Sequence, residues 1–466
     1  MLKILNSKKE IHINFRKAKW IEYIGFYTLL AHVDIFLYFI FLFYFCNQCV
    51  RLCNMVIKDY YSLSEASDIL GKSKETLRRW DRAGKLEAVR EPISNYRVYR
   101  KEQLSIFSSI LSNELEDKID NSVTPNTDYN ILELFAGAGG LALGLEKAGL
   151  KCVALNEIDK WACQTLRENR PNWNILEGDV KSFDFTKYKN KVEIVTGGFP
   201  CQSFSYAGKR LGFQDARGTL FYEFARVVKE VNPPICIGEN VKGLRSHDNG
   251  KTLEGMISIL DEIGYKVAPI QILKAINYKV PQKRERLILV GIRKDIDVEF
   301  NYPKPHNQVY TLSDALKKGE LYDSDVPKSK GSEYPQHKKD VLDLVPPKGY
   351  WRDLPLDIQK DYMGKSFYLG GGKTGMARRI GWDEPSLTLT CSPAQKQTER
   401  CHPDETRPFT VREYARIQTF PDNWKFAGSV SQQYKQIGNA VPCNLGQEIG
   451  YSIIKFLNDF YDKFRI

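Results

Sequence analysis

The stretch from residue 131 to residue 149 restricts the fold more than any other part of the chain. An apolar strand is predicted over 131–135, a glycine-rich loop over 136–140 and a helix over 141–148. A strand, a glycine loop and a helix amino terminus place bare backbone beside an anionic group of a ligand. The stretch therefore predicts an α/β fold with a ligand at the loop, although a tight turn without a ligand would look the same.

The spacing around the loop leaves two kinds of ligand open. Gly137, Gly139 and Ala142 fit the pattern G-x-G-x-x-G/A, and Glu157 follows 20 residues after Gly137. A nicotinamide cofactor on a Rossmann domain has this pattern, with the carboxylate on a ribose hydroxyl. S-adenosylmethionine fits it equally well, with its methionine end at the glycine loop.

Three further predicted strands bring reactive side chains to the same edge of a sheet. The strand over 193–199 runs into Cys201, the strand over 235–238 into Glu239, and Arg284 and Arg286 precede the strand over 287–292. Enzymes of the α/β class place their reactive groups at the carboxyl ends of parallel strands. Cys201 alone would also suit a buried, unreactive thiol.

Seven short motifs occur in a fixed order: FAGAGG, NEID, GGFPCQSFS, ENV, QKRER, RPFTVREYARIQTFPD and QIGNAVP. Together they resemble the motifs of the cytosine-C5 DNA methyltransferases of bacterial restriction-modification type, from about residue 130 to the carboxyl terminus. The resemblance implies a Rossmann-like, S-adenosylmethionine-dependent methyltransferase domain with a smaller target recognition domain. A nicotinamide-dependent dehydrogenase needs no thiol, carboxyl and arginine set at the sheet edge, so that alternative is dropped.

The resemblance implies a DNA (cytosine-5)-methyltransferase that acts on a flipped-out cytosine in a short duplex site. Cytosine C5 is a poor nucleophile, and addition of the Cys201 thiolate to C6 makes it reactive. Glu239 is expected to hold or protonate N3, and Arg286, together with Arg284, to bind O2. The base that removes the C5 proton is not identified, and no metal is implied.

The resemblance also assigns residues to S-adenosylmethionine. The methionine end is expected at Phe135, Ala136, Gly137, Gly139, Gly140 and Leu141. Glu157 is expected on the ribose, and the adenine and neighbouring atoms at Ile158, Asp179, Val180, Pro200 and Leu220. The site is expected to close with Asn439, Ala440 and Val441. Ile158 stands where some members of the family carry an aromatic ring, which implies an apolar contact with adenine in place of stacking.

Several residues are expected to contact double-stranded DNA. By resemblance, Arg217 is placed near a phosphate of the flipped nucleotide, with a helix cap as the alternative. Target recognition is expected from residues between about 300 and 406, since in this family that slot reads base edges. Within it Arg378, Arg379 and Thr388 are predicted to face DNA, and structural loops are the alternative.

A separate small unit precedes the methyltransferase motifs. Ser62 and Glu65 form a predicted capping box, and a basic second helix over 74–83 carries Arg78 and Arg79. With the alternating stretch 95–100 as a wing, the unit resembles the MerR or excisionase type of winged helix, which implies DNA contact by these two arginines. The alternative is a packing domain with solvated arginines. As a hypothesis, the unit represses the protein's own operon.

Six segments are predicted in all. They are a hydrophobic extension (1–54), the MerR-like helix-turn-helix (55–110), a polar linker (111–128), the catalytic domain (129–299), the target recognition domain with its hinge (300–422), and a segment returning to the catalytic domain (423–466). The extension contains an apolar run over 24–46 that is long enough to span a bilayer. We interpret it as upstream sequence translated in frame before Met55, with a membrane anchor as the alternative.

Composition is consistent with these predictions. The 68 lysines and arginines exceed the 57 aspartates and glutamates, which suits a polyanionic partner. Ten cysteines are too few for a disulfide scaffold, so a cytoplasmic, reduced protein is expected. A cognate restriction endonuclease is the expected functional partner, and the protein is expected to be monomeric. A tRNA cytosine methyltransferase and a transcriptional regulator with an inactive methyltransferase body are the competing functions.

Overall fold

The computed structural model describes residues 60–70, 72–91, 96–104, 120–200, 219–370 and 373–463. The chain divides into two compact units, Met1–Asp117 and Lys118–Ile466. The predicted hydrophobic extension lies outside the described residues. Within the described residues, no helix is both long and apolar enough to cross a membrane.

The described part of the first unit consists of β1 (Tyr60–Ser62), α1 (Leu63–Ile69), α2 (Lys74–Arg82), β2 (Val89–Arg90) and β3 (Arg97–Arg100). The predicted capping box is confirmed, since the Glu65 backbone N–H donates to Ser62 Oγ and the Ser62 N–H donates to the Glu65 carboxylate. Ser73 caps α2, and the strands form a sheet in the order β1-β3-β2. Leu77 and Tyr99 are fully buried in its small core. These elements match the predicted helix-turn-helix with a wing.

The second unit is built on one large sheet. Its strands are β4 (Asn130–Leu134), β5 (Lys151–Glu157), β6 (Ile175–Glu177), β7 (Ile194–Gly197), β8 (Ile235–Val241), β9 (Tyr265–Val267), β10 (Gln271–Lys274) and β12 (Glu285–Arg293), while β11 (Gln282–Lys283) pairs with β13 (Ser386–Leu387). Its helices are α3 (Gly140–Ala148), α4 (Lys160–Asn169), α5 (Leu220–Val231), α6 (Lys251–Glu262), α7 (Leu312–Leu316), α8 (Gln336–Asp343), α9 (Leu356–Met363), α10 (Val411–Ile417), α11 (Val430–Asn439) and α12 (Cys443–Lys463).

The order of the strands determines where a ligand site can form. The sheet runs β10-β12-β8-β7-β4-β5-β6, with β4 to β8 parallel and β12 antiparallel to β8. The chain moves outward from β4 to β6 and then returns to β7 on the other side of β4. Such a reversal opens a crevice at the carboxyl ends of the central strands, where ligands bind in open α/β sheets.

Both faces of the sheet are covered, as expected for strands that are apolar on both sides. Ile131 and Ile194 face a core that includes residues of α3 and α12, while Leu132 and Val195 face one that includes residues of α5 and α6. The segment 423–466, which was expected to return to the catalytic domain, ends in α12, and α12 packs closely on α3. The α/β fold expected from the sequence is therefore present.

The region after β12 contains a small core of its own. Tyr334, Leu342, Trp351 and Met376 are buried together, away from the large sheet. The motif RPFTVREYARIQTFPD contains the short helix α10, which begins after Thr410 with a capping box to Glu413. The sequence Gln418-Thr419 then leaves the helix because Thr419 adopts a positive φ of 61°.

The predicted linker 111–128 is partly wrong. Its described end packs on the second unit: Asn121 Nδ2 donates to Glu448 Oε2 at 2.7 Å, and the Asn126 backbone N–H donates to Asn458 Oδ1 at 3.0 Å. Val123 also packs against the core beneath α12. Polar composition suggested a linker, but these polar groups are used to bond the chain to α12.

Candidate active site

A cavity of about 760 Å³ opens at the carboxyl ends of β4, β5, β7 and β8. Three of the predicted catalytic residues line it, Glu239, Arg284 and Arg286. The predicted cofactor residues that line it are Phe135, Ala136, Gly137, Gly140, Leu141, Glu157, Ile158, Asp179, Val180, Pro200, Leu220, Asn439, Ala440 and Val441. Residues that are up to 306 positions apart in the sequence thus share one space.

Gly139, which was also predicted to hold the cofactor, does not line the cavity. It has a φ of +82° and caps α3, and a Cβ built on it would lie 2.7 Å from Leu166 Cδ2. Its role in the structure is to let the loop turn tightly against α4. Gly137 differs, because a Cβ there would meet nothing within 4 Å and Gly137 lines the cavity.

Glu157 at the end of β5 fixes the shape of the glycine loop. Its Oε2 accepts from the Gly137 backbone N–H at 2.7 Å, and its Oε1 accepts from the N–H groups of Ile158 and Asp159 at 2.8 Å each. The carboxylate is 8% exposed. It is therefore held rigidly at the cavity wall, with lone pairs remaining for a ligand hydroxyl.

The wall next to Glu157 carries apolar surface. Ile158 is 67% exposed, an unusual value for a large aliphatic side chain, and it lines the cavity with Val180 and Leu220. Asp179 is exposed nearby, and its Oδ1 accepts from the Lys181 N–H at 3.0 Å. This side of the cavity suits a flat, partly apolar group with a polar edge.

Glu239 and Arg286 form a close ion pair in the cavity. Arg286 Nε lies 2.5 Å from Glu239 Oε1, and the side chains of Arg286 and Glu239 are only 11% and 12% exposed. The ion pair forms because β12 runs antiparallel to β8. The amino end of β12 therefore lies at the sheet edge where β8 ends, and Arg286 pairs in register with Val241. The pair places a carboxyl group beside a cation in a water-poor space.

Arg284 has a different environment from Arg286. It is 1% exposed, and its guanidinium donates to the backbone carbonyls of Leu389 at 3.3 Å and Gly438 at 3.1 Å. Burial, with the nearby Arg286 charge, lowers the pKa of Arg284 to about 9. Arg284 therefore ties the chain before β12 to two distant segments, although it also contributes to the cavity wall.

Two predicted residues, Cys201 and Arg217, lie outside the described residues. Pro200, the residue before Cys201, lines the cavity, as does Leu220, which begins α5. Phe199 is held there by Asn240, whose Nδ2 donates to the Phe199 carbonyl at 2.8 Å. The described structure thus brings the chain to the cavity on both sides of the predicted nucleophile.

Several residues that line this cavity were not predicted from the sequence, including Glu133, Asp159 and Lys435. Lys435 Nζ lies 2.8 Å from Asp159 Oδ2, which joins α11 to the start of α4. Glu133 precedes the glycine loop by three residues and is 2% exposed. A carboxyl group inside an otherwise apolar strand was a usable signal for Glu133, whereas nothing local marked Lys435.

The structure corrects the DNA-contact prediction for Arg379. This side chain is 5% exposed, and its guanidinium donates to the carbonyls of Val345, Leu342 and His402. Arg378 also makes an internal contact, because its Nη2 donates to both carboxylate oxygens of Glu384 at 2.6 and 2.7 Å. The pattern of adjacent arginines after glycines did not reveal that both serve the internal structure of this region.

The other predicted DNA-facing residues are at least partly exposed. Thr388 is half-buried, and its Oγ1 donates to the Lys283 carbonyl at 2.6 Å. Tyr368 and Leu369, which were not predicted, are 78% and 65% exposed. In the first unit, Arg78 and Arg79 are exposed on α2, and Arg78 pairs with Glu75 at 3.2 Å.

Comparison with known protein families matches both units. The model of the C-5 cytosine-specific DNA methylases matches residues 129–455, and that of the MerR family regulatory proteins matches residues 62–99. The chain is 62% identical over 409 residues to the type II methyltransferase M.Eco47II of Escherichia coli, an alignment that covers 87% of this chain and 98% of the relative. It is 56% identical over 405 residues to the type II methyltransferase M.PspPI of Psychrobacter sp., covering 86% of this chain and 97% of the relative.

Two solved structures share the fold. A DNA modification methyltransferase encoded within an Escherichia coli prophage superposes with a TM-score of 0.51 at 22% identity, over 71% of this chain and all of the other. Dnmt2 of Spodoptera frugiperda gives a TM-score of 0.51 at 18% identity, over 72% of this chain and all of the other. At these identities the likeness concerns the architecture alone.

Proposed function

This chain belongs to the C-5 cytosine-specific DNA methylase family and is a DNA (cytosine-5) methyltransferase, and we propose that it methylates C5 of a flipped-out cytosine in a short, specific duplex site. The observation that carries the proposal is the single cavity that joins the Glu239–Arg286 pair to the glycine loop and Glu157. The named type II methyltransferases among its relatives support a modification enzyme that works beside a cognate restriction endonuclease.

The cavity fits S-adenosylmethionine, which when bound supplies the methyl group. Gly137 leaves the space for the methionine end, because a side chain there would enter the cavity. The fixed Glu157 carboxylate is suited to the ribose hydroxyls, and the exposed Ile158 side chain to one face of the adenine. Asn439, Ala440 and Val441, at the end of α11 and just beyond it, close the opposite side.

The chemical step that we propose begins at Cys201. Its thiolate forms a bond to C6, and the electron pair of the 5,6 double bond becomes available at C5. Glu239 holds N3 and supplies a proton or a hydrogen bond there as charge moves into the ring. Arg286 both orients Glu239 and offers a cation to O2, an arrangement that its position beside Glu239 supports.

The step is completed by restoring the aromatic ring. C5 would gain the methyl group as the sulfur–methyl bond of the cofactor breaks, with S-adenosylhomocysteine as the other product. C5 then loses its proton, and the electrons of that bond reform the double bond as the Cys201 sulfur leaves C6. One proton is therefore released for each methyl group transferred. Arg284 serves this site as a positioning residue, because its guanidinium is bonded to the carbonyls of Leu389 and Gly438.

Access to C6 requires the cytosine to leave the duplex, which costs a few kcal/mol. A site that reads the same on both strands would allow a monomer to modify each strand in turn, and we propose a monomer for this reason. Base readout is assigned to the region between residues 300 and 406, where Thr388 and the exposed Tyr368 and Leu369 lie. Arg217 is proposed to contact a phosphate beside the flipped nucleotide.

The test is methyl transfer from tritiated S-adenosylmethionine to mixed-sequence DNA, followed by bisulfite sequencing. Wild-type protein should label C5 of cytosine in one short motif, and Cys201→Ser should abolish the label while still binding DNA. Label on tRNA with none on DNA would favour the RNA methyltransferase. An absence of label on both nucleic acids would reject the enzyme and favour the regulator.

A second function is supported by the first unit, whose winged helix matches the MerR family model. We propose that its α2, with Arg78 and Arg79 exposed, contacts DNA upstream of the protein's own operon and represses it. Footprinting of the full chain on that upstream DNA should give a protected site that Arg79→Ala weakens. Protection that is equal for both proteins, or absent from both, would reject this role.

A further inference from the structure

Glu133 is a buried carboxyl group in the cavity wall that the proposed chemistry leaves unused. It is the fourth residue of β4, it is 2% exposed, and it lines the cavity just before the glycine loop. A carboxyl group at such a position costs free energy unless it is neutral or paired with a cation. Its neighbours determine which of these applies.

The groups that face Glu133 from the described strands and helices carry no positive charge. From β7, Thr196 Oγ1 donates to Glu133 Oε2 at a long 3.5 Å, and the Ala142 backbone N–H of α3 also contacts the carboxyl. From β5 and β8, Glu157 and Glu239 add like charges. Cys152 of β5 also faces it and is neutral, because burial raises the pKa of that thiol well above its ordinary value.

The cations of the cavity are already engaged elsewhere. Among the residues that the structure describes, Arg284, Arg286 and Lys435 are the cationic side chains of the lining, against five carboxyl groups. Arg286 pairs with Glu239, Lys435 pairs with Asp159, and Arg284 bonds backbone carbonyls. Glu133 is thus left without a cationic partner among the described residues of the lining. Burial accordingly raises the pKa of Glu133 from 4.5 to about 8.

We propose that Glu133 is the counter-charge for the cationic methionine end of the cofactor, and that it gives up its proton to the solvent when the cofactor binds. The methionine end carries a sulfonium, an ammonium and one carboxylate group, so its net charge is positive, and the glycine loop that follows Glu133 is where the proposed function puts it. A cation brought next to a buried carboxyl favours the ionised form. Cofactor binding and proton release are thereby coupled, and this inference rests on the proposed function.

The experiment is calorimetric titration at pH 7 in buffers that differ in ionisation enthalpy, without DNA and therefore without turnover. The probes are S-adenosylmethionine and 5′-methylthioadenosine, which has the adenosine part but neither cation. Wild-type protein should release close to one proton on binding S-adenosylmethionine and none on binding methylthioadenosine. Glu133→Gln should release none with either probe and bind S-adenosylmethionine about tenfold more weakly, with methylthioadenosine unchanged.

Two control variants identify the source of the proton. Glu146→Gln removes a carboxyl of α3 that does not line the cavity and that pairs with Arg170 at 2.7 Å, and this variant should behave as wild type. Cys201→Ser removes a thiol that could also titrate, and should still release the proton. Release that persists in Glu133→Gln, or binding of S-adenosylmethionine to wild type without release, would overturn the inference alone. Failure of wild type to bind S-adenosylmethionine would overturn the proposed function and this inference with it.

Discussion

At the scale of single residues, the two arginines of the motif QKRER make different contacts. Arg284 lies just before β12 and Arg286 two positions later within it, so in a continuous extended chain both side chains should face the same way. The chain breaks this rule at Arg284, which lies between β11 and β12 and points its guanidinium to the carbonyls of Leu389 and Gly438. Only Arg286 remains beside Glu239.

This separation predicts different consequences of mutation. Arg286→Lys should lower the methylation rate about 100-fold or more, since a single ammonium cannot reproduce the guanidinium beside Glu239, while the melting temperature changes little. Arg284→Met should instead lower the melting temperature, because the buried carbonyls of Leu389 and Gly438 lose their donor. Single-turnover methylation and thermal melting of both variants measure the difference. If both variants lost the same methylation rate and neither lost stability, the separate roles of Arg284 and Arg286 would be contradicted.

The pKa of Glu133 gives a prediction for stability. The folded protein keeps the Glu133 proton up to about pH 8, whereas the unfolded chain loses it near 4.5. The unfolded state therefore binds fewer protons in this window, and the free energy of unfolding falls as the pH rises, by at most about 1.4 kcal/mol per pH unit for this group. Well above pH 8 Glu133 is ionised in both the folded and the unfolded state, so the free energy of unfolding no longer changes with pH through this group.

Urea unfolding of the cofactor-free protein at pH 5.5, 6.5 and 7.5 measures that slope. Glu133→Gln cannot titrate, so its unfolding free energy should fall less steeply between these values than that of wild type. Glu146→Gln, which removes a partly exposed carboxyl, should keep the wild-type slope. Parallel curves for wild type and Glu133→Gln would contradict the assignment.

At the scale of elements, the contact between α3 and α12 holds the cofactor loop in place. The helices approach so closely that a Cβ built on Gly144 would lie 2.3 Å from the Cys443 carbonyl oxygen and 2.7 Å from the Gln447 backbone nitrogen. Because both are backbone atoms, neither can move without shifting α12. The glycine loop precedes α3 directly, so this packing also sets the position of Gly137.

Gly144→Ala is therefore expected to destabilise the protein. Alanine is favoured over glycine inside a helix by about 1 kcal/mol, but the forced separation of the helices should cost about 1–3 kcal/mol beyond that gain. At Gly319 a Cβ would meet nothing within 4 Å, so Gly319→Ala is the matched control and should be close to neutral. Thermal melting compares them, and a stabilised Gly144→Ala would contradict the packing argument.

At the scale of the whole molecule, local sequence patterns predicted the elements that carry their own signals. The capping box of α1, the glycine loop and the apolar strands are specified by neighbouring residues, so the α/β fold and most of the cavity wall could be predicted. Hydrogen bonds and ion pairs between residues far apart in the sequence could not be predicted. Arg379 looked like a free cation but is bonded to Val345 and Leu342, and Lys435 reaches Asp159 across 276 residues.

The start of the second unit also depends on bonds between residues far apart in the sequence. Its position can be tested with shortened proteins. Asn121 and Asn126 bond to Glu448 and Asn458 of α12, and Asn458 Nδ2 returns a bond to the Thr124 carbonyl at 2.9 Å. A segment so bonded belongs to the second unit, which begins at Lys118. We therefore expect a protein that starts at Lys118 to fold and methylate DNA without the winged helix.

A protein that starts at residue 129, the boundary predicted from composition, should be less stable than one that starts at Lys118. It lacks the bonds of Asn121 and Asn126 and leaves Asn458 and Glu448 of α12 without them, at about 1 kcal/mol for each bond lost. Since both proteins lack the first unit, the comparison isolates residues 118–128. Equal melting temperatures would show that these bonds contribute nothing to stability, and a Lys118 protein that fails to fold would show that the two units depend on each other.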